Sequence, residues 1–360
     1  MARQNDLAIQ EITRETEDTV SISFAVPKDL IEDYKFTPGQ YLTLRAEIDG
    51  QDVRRSYSIC TSPSENDLRV AVKMVENGLF STYANNVLEV GDTLTVMKPN
   101  GRFTINISAE NKSNYLLVAA GSGITPILSI AKAVLEGESD STITLLYGNK
   151  TFDSIIFKEQ IEGLKNNYMA RMNVIHILSR ESLGSELNSG RIDVAKFELL
   201  SKTVIDISSL NQTYLCGPAE MITSVSDWLK VNGIKEDSIH FELFTSPNAV
   251  KNVKEKIDKN IKPNLNTSNV TVIIDGDELE FEMPLDETNK ILDVANDKGG
   301  DLPFACKGGV CCTCRAKLLE GEVEMKLNYS LETHEVEKGF ILTCQSIPKS
   351  KKLVIDFDEV

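Results

Sequence analysis

The chain has 360 residues, enough for two or three domains that each bury a core of their own. Hydrophobic residues make up 41% and charged residues 26%, a balance that excludes a largely disordered chain. A net charge of −16 argues against nucleic acid as a partner, because phosphate backbones call for a basic patch. No stretch approaches the roughly 20 apolar residues that cross a bilayer, so no membrane partner is expected. The N-terminal segment MARQNDLAIQEITRETEDTV has neither a basic-then-apolar leader nor an Arg-rich amphipathic character, and the expected location is cytoplasmic.

Residues 1–108 hold short β-rich runs (SISFAV, YLTLRAEI, RRSYSI, LRVAVKMV) separated by turn segments, the pattern of a small antiparallel β-barrel. Over residues 109–246 the buried-strand runs YLLVAA, TITLLYG, NVIHILS, TYLCG and IHFELF alternate with helix-like segments. That rhythm predicts an α/β domain with a parallel sheet and helices on both faces. In the first helix Ile127, Ile130, Ala131, Val134 and Leu135 share one face and Gly137 is the stop. Residues 247–267, polar and Lys-rich, read as a linker.

The last part, residues 268–360, opens with an expected hairpin, NVTVIID–Gly276–DELEFEMP, and carries 19 acidic against 10 basic side chains. Seven of those acids fall between Asp275 and Glu287 with no basic residue among them. They read first as a solvated face, with docking of a basic partner as the sharper alternative for the domain. The three histidines, His176, His240 and His334, are scattered and read as structural.

Seven cysteines in a chain without a leader do not read as a disulfide framework. Cys306 and Cys311 are separated by four residues, Cys311 and Cys314 by two, and Cys344 follows after 29 more. This is the plant-type ferredoxin spacing for a 2Fe–2S cluster held by four thiolates. Lys307-Gly308-Gly309-Val310 supplies the small residues that let a loop wrap closely around the cluster, and Cys344 is read as closing the site from a distant strand. Structural zinc is the competing reading, but such sites usually pair two two-cysteine knuckles. Cys312 breaks the spacing and is read as a non-ligand.

LPFACKGGVCCTCRAKLLEGEVEM with GFILTCQSIP resembles the C-terminal ferredoxin domain of oxygenase reductases in the ferredoxin–NADP reductase superfamily. The resemblance spans essentially the whole chain, in the order flavin domain, nicotinamide domain, ferredoxin domain. It implies that the last domain is an α+β fold of the β-grasp kind.

The same resemblance assigns the flavin residues. Arg54-Arg55-Ser56-Tyr57-Ser58 matches an Arg-x-Tyr-Ser motif. Strand alternation sends Arg55 and Tyr57 to one side, where a guanidinium would clamp phosphate and a phenol pack on the isoalloxazine ring. Ser58 would hydrogen-bond flavin N5. Val72-Lys73-Met74-Val75 leads into Glu76-Asn77-Gly78-Leu79-Phe80-Ser81, resembling a second flavin segment in which a glycine turn and helix start cradle phosphate, with Ser81 donating. Ser56, Val72, Lys73, Val75, Gly78, Phe80 and Thr125 join the expected flavin contacts. FAD is the flavin implied, with FMN the alternative.

For the nicotinamide dinucleotide, Gly121-Ser122-Gly123-Ile124-Thr125-Pro126 follows a strand and opens a helix, so a pyrophosphate could approach the backbone. Ser179 and Arg180 end a parallel strand, where open α/β sheets bind ligands. By resemblance they hold an adenosine 2′-phosphate with Arg191 as a second clamp, which favours NADPH over NADH. Cys216, Gly217 and Pro218 would flank the nicotinamide, Glu242 would orient Ser58 and Cys216, and Phe244 would cover the flavin face. The implied activity is electron transfer from NADPH through FAD and a 2Fe–2S cluster to a separate oxygenase component, a di-iron one. The alternatives are a reductase serving an aromatic-ring or steroid hydroxylase, and a redox-sensing module without turnover.

Overall fold

A computed structural model describes residues 4–182, 184–244, 267–285 and 288–359. The chain divides after Phe244 into two compact units. The expected linker lies outside the described residues, except for Thr267, which opens a strand.

The first unit begins with six strands: β1 (Gln4–Thr16), β2 (Thr19–Ala25), β3 (Tyr41–Ile48), β4 (Gln51–Ser58), β5 (Leu68–Lys73) and β6 (Thr93–Met97). They pair antiparallel in the order β4-β3-β6-β1-β2-β5. A bridge from Ile59 to Val70 brings the end of β4 onto β5 and rounds the sheet into the expected barrel. Alternate residues point inward: Val20, Ile22 and Phe24 of β2 meet Leu42 and Leu44 of β3 and Val70 and Val72 of β5 in one core. Helix α1 (Leu79–Asn86) adds Phe80 and Ala84, four residues apart, to that core. The sequence pattern does not single out β1, because a register shift between Ile9 and Glu11 interrupts its alternation.

The rest of this unit alternates strand and helix. The strands are β7 (Asn114–Ala120), β8 (Thr142–Asn149), β9 (Met172–Leu178), β10 (Gln212–Gly217) and β11 (Ile239–Leu243). The helices are α2 (Ile124–Gly137), α3 (Lys158–Asn167), α4 (Val194–Ser201) and α5 (Ala219–Val231). The sheet is parallel throughout, in the order β11-β10-β7-β8-β9. One core gathers α2 and α3 on one face, and another gathers α4 and α5 on the opposite face. Strand order reverses between β7 and β10, the place where such sheets open a ligand crevice. The barrel is fastened to α2 by Ser129 Oγ donating to the Thr61 carbonyl at 2.6 Å and by Lys132 Nζ at 2.8 Å from Glu65 Oε1.

The second unit is the expected β-grasp fold. Hairpin β12 (Thr267–Ile274) and β13 (Asp277–Pro284) turns at Asp275 and Gly276, both with positive φ, as a two-residue hairpin loop needs. Then come α6 (Ile291–Asp297), β14 (Arg315–Glu320), β15 (Val323–Met325), α7 (Thr333–Glu337), β16 (Phe340–Leu342), β17 (Ser346–Pro348) and β18 (Lys352–Asp356). The main sheet runs β13-β12-β18-β14-β16, with β12 and β18 parallel at its centre. Among the described residues no helix is long and apolar enough to cross a membrane.

Candidate flavin, nicotinamide and cluster sites

Strand β4 delivers the first expected flavin residues. Arg54 turns inward and pairs with Asp52 at 3.0 Å. Arg55 is exposed, with no carboxylate partner among the described residues. Tyr57 is half-buried, its ring 5.5 Å from that of Phe80, and burial pushes its phenol well above the usual value. Ser56 Oγ lies 3.1 Å from Thr43 Oγ1.

Ser58 is buried and its hydroxyl donates to Glu242 Oε2 at 3.2 Å. Glu242, on β11, stands in register beside Cys216 of β10. Burial pushes its carboxyl up to about 8, while the Ser58 hydrogen bond pulls the other way. The same burial, helped by the Glu242 charge, pushes the Cys216 thiol well above its usual value. Cys216 is fully enclosed, and Phe244 is 38% exposed.

The second flavin segment is only partly as expected. Val72 and Phe80 face the barrel core, so their side chains hold the fold and leave only their backbone for a ligand. Phe80 backs Tyr57 instead. The hydroxyl of Ser81, expected to donate to phosphate, is engaged inside the turn: it accepts the Val75 N–H at 3.2 Å and donates to the Gly78 carbonyl at 3.2 Å. A Cβ on Gly78 would strike Val75 and Ser81, so this tight turn requires glycine. Lys73 pairs with Asp18 at 3.3 Å, and Val75 is exposed. A guanidinium that donates only to the Arg54 carbonyl at 2.7 Å among the described residues, a backed phenol and an exposed Val75 form a donor and surface set that fits a flavin phosphate and ring.

The β7–α2 turn holds Gly121, Gly123, Thr125 and Pro126. Thr125 is buried and donates to the Ser122 carbonyl at 3.1 Å. Gly123 is required by packing, since a Cβ there would fall on the Cys216 carbonyl of β10. Tyr147 Oη donates to the Gly121 carbonyl at 3.1 Å and steadies the turn. Gly217 packs against Ala120 and Met221, and Pro218 is the residue before α5.

At the carboxyl ends of β8 and β9, Ser179 and Arg180 follow the strand, their N–H groups donating to Asn149 and Lys150 carbonyls at 2.9 and 2.8 Å. Arg180, Arg191 and Lys150 are all exposed, with no ion pair among the described residues. Unpaired cations at this edge fit a phosphate-bearing nucleotide. Lys150 was missed by sequence reasoning, because one lysine after a buried strand has no distinguishing pattern.

The four expected cluster ligands come together as two pairs. Cys306 interacts with Cys311 and Cys314 with Cys344 through their thiols. The Cys311 hydrogen bond, with backbone N–H groups of Gly308, Val310 and Cys311, pulls the Cys306 thiol down to about 5. Cys344 is likewise lowered, chiefly by Cys314. Cys314 and Cys344 are buried, whereas Cys306 is exposed.

Among the described residues no three His, Cys, Asp or Glu converge on a single ion; two thiol pairs with aimed amides suit a two-iron cluster. A Cβ on Gly309 (φ 75°) would press on the Leu327 carbonyl, so the loop packs tightly there and requires glycine. Cys344 corrects one expectation: it sits in the turn between β16 and β17, not on a strand. Gln345, which the spacing did not flag, donates from Nε2 to the Lys307 carbonyl at 2.8 Å and ties that turn to the cysteine loop. Cys312, with φ 53°, is half-buried.

Three family models match in chain order: the oxidoreductase FAD-binding domain over residues 6–105, the oxidoreductase NAD-binding domain over 117–227 and the 2Fe-2S iron-sulfur cluster binding domain over 272–349. The chain is 41% identical to one of the subunits of the 1,2-phenylacetyl-CoA epoxidase of Escherichia coli (strain K12), covering 99% of each chain. It is 33% identical to the 3-ketosteroid-9-alpha-monooxygenase, ferredoxin reductase component, of Mycolicibacterium smegmatis, covering 98% of this chain and 97% of that one. Phthalate dioxygenase reductase shares the fold, with a TM-score of 0.58 at 23% identity over 98% of both chains.

Proposed function

The chain belongs to the oxygenase reductases of the ferredoxin–NADP reductase superfamily, which pass electrons through FAD and a 2Fe–2S cluster, and we propose that its donor is NADPH and its acceptor a phenylacetyl-coenzyme A epoxidase. The full-length identity to a component of that epoxidase carries the choice of acceptor. The likeness to the steroid monooxygenase reductase supports a second reading, delivery to a steroid or aromatic-ring hydroxylase. Exposed, unpaired Arg180, with Arg191 and Lys150, supports NADPH, because a guanidinium matches a 2′-phosphate. The Glu181 carboxylate next to it is turned away onto the Phe152 N–H at 2.7 Å. The reading includes a cytoplasmic location, a di-iron acceptor and domains at 1–108, 109–246 and 268–360 joined by 247–267.

When bound, the flavin takes a hydride from the nicotinamide and the cluster carries electrons away singly, chemistry that belongs to the cofactors. The side chains hold and orient. Arg55 would clamp the flavin phosphate, Tyr57 would lie against the ring, and Ser56, Val72, Lys73, Val75, Gly78, Phe80, Ser81 and Thr125 would shape the pocket, Val72 and Phe80 from behind. Ser58, whose hydroxyl donates to Glu242, would present its oxygen to the hydride-accepting edge. Gly121, Gly123, Thr125 and Pro126 admit the pyrophosphate, and Ser179, Arg180 and Arg191 hold the adenosine end. Cys216, Gly217 and Pro218 would wall the nicotinamide, and Phe244 would cover the flavin face. Cys306, Cys311, Cys314 and Cys344 would hold the cluster through their thiolates.

Reconstitution tests this directly. The purified protein, loaded with FAD and cluster under anaerobic conditions, should support NADPH-driven epoxidation of phenylacetyl-coenzyme A by the epoxidase and give no turnover with a steroid hydroxylase; the reverse outcome selects the second reading. Arg180→Ala should raise KM for NADPH by roughly tenfold or more while leaving NADH nearly unchanged. Equal effects on both would refute the 2′-phosphate assignment.

A further inference from the structure

The edge that carries Arg180 also carries an aromatic ring that neither core of the α/β half contains. Phe152, three residues past β8, is 44% exposed. Single exposed apolar residues are ordinary, but this one is held in place. The short 3₁₀ turn Phe152–Ser154 is locked by a reciprocal cap, in which the Thr151 N–H donates to Ser154 Oγ at 3.0 Å and Ser154 Oγ donates to the Thr151 carbonyl at 2.7 Å. The Phe152 N–H is held by Glu181, the residue after Arg180. Lys158 Nζ stands 4.3 Å from the ring centroid. The ring therefore sits in a fixed loop with Lys158 beside it, on the edge that also carries Lys150 and Arg180.

We infer that Phe152 is the shelf on which the adenine of the dinucleotide stacks. The inference rests on the dinucleotide reading above and adds to it the group that binds the base. A 2′-phosphate hangs from the same ribose as the adenine, so whatever holds that phosphate leaves the base within one sugar of it. The Phe152 backbone is joined by one hydrogen bond to Glu181, the residue after Arg180, so Phe152 and Arg180 stand on the same edge of the sheet. A ring held on a fixed turn and 44% exposed, with the Lys158 ammonium over it, offers a purine stacking area at little entropic cost, and that cation adds attraction for the phosphates. The ring reads the base and Arg180 reads the phosphate. The two contributions are separable.

Calorimetric titration of the full-length loaded protein with ADP-ribose and with its 2′-phosphorylated form separates them, since neither probe reduces flavin. Phe152→Ala should weaken both ligands about tenfold, whereas Arg180→Ala should weaken only the 2′-phosphorylated one. Phe152→Trp should keep both affinities, and its added fluorescence should be quenched as either ligand binds. Unchanged affinities in Phe152→Ala, or fluorescence in Phe152→Trp that ignores the ligands, would overturn the shelf while leaving the dinucleotide site intact. A wild-type protein that binds neither probe would remove the dinucleotide reading itself, and the shelf with it.

Discussion

Glu242 is a carboxylic acid whose acidity is set by where the fold puts it, between the hydroxyl of Ser58 and the enclosed Cys216. An ordinary glutamate ionises near 4.5, whereas burial holds the proton on this one up to about 8. Between those values the folded chain binds more protons than the unfolded chain. The contribution of Glu242 to stability is therefore greatest at the acid end of that window and declines as pH rises through it. Glu242→Gln should flatten that decline in a calorimetric profile of Tm against pH; a variant profile parallel to the wild type would show that the group is not desolvated. None of this is visible in Glu-Leu-Phe as a tripeptide, where an amphipathic strand end would read the same. The cysteines are the opposite case: their spacing alone points to four candidate ligands, because one short loop must present three of them.

At the scale of elements, α7 shows how a small helix can be held by one buried pair. Arg315, directly after Cys314, packs its guanidinium 3.5 Å from the Phe340 ring centroid and lies 3.2 Å from Glu335 of α7, which is 1% exposed. Removing one partner strands the other charge in the interior. Glu335→Ala should therefore cost about 3 kcal/mol or more in denaturant unfolding, and a loss under about 1 kcal/mol would mean the charge finds water instead.

The hairpin of β12 and β13 was legible by contrast, since Asp-Gly between two runs of alternating hydrophobicity specifies its turn. The acids of β13 follow the bland reading in part: Glu278, Glu280 and Glu282 are exposed along an edge strand, where charge deters unwanted pairing. Asp286 and Glu287 lie outside the described residues.

At the scale of the whole molecule the division after Phe244 separates the part matched by the FAD- and NAD-binding models from the part matched by the 2Fe-2S model. Each unit has its own apolar core, the first built around the barrel and the parallel sheet and the second around β12, β14 and β18. A chain ended between residues 250 and 260 should fold, bind FAD and reduce ferricyanide with NADPH at close to the full-length rate, yet deliver no electrons to the oxygenase. Loss of ferricyanide reduction would mean that the first unit depends on the second.

By itself the sequence determined the order of domains, the strand and helix rhythm, the spacing of the candidate cluster cysteines and the glycine turn before α2. Each of these is written in neighbouring residues, as a period, a spacing or a turn pair, and needs no knowledge of distant contacts. The tertiary structure alone decided which thiols pair, that Cys344 sits in a turn, and that Phe80 and Val72 face the barrel core. It also decided that Glu242 meets Ser58 across 184 residues of chain. Those depend on how sheets close and stack, and a side chain's surroundings are then supplied by segments that no local pattern mentions.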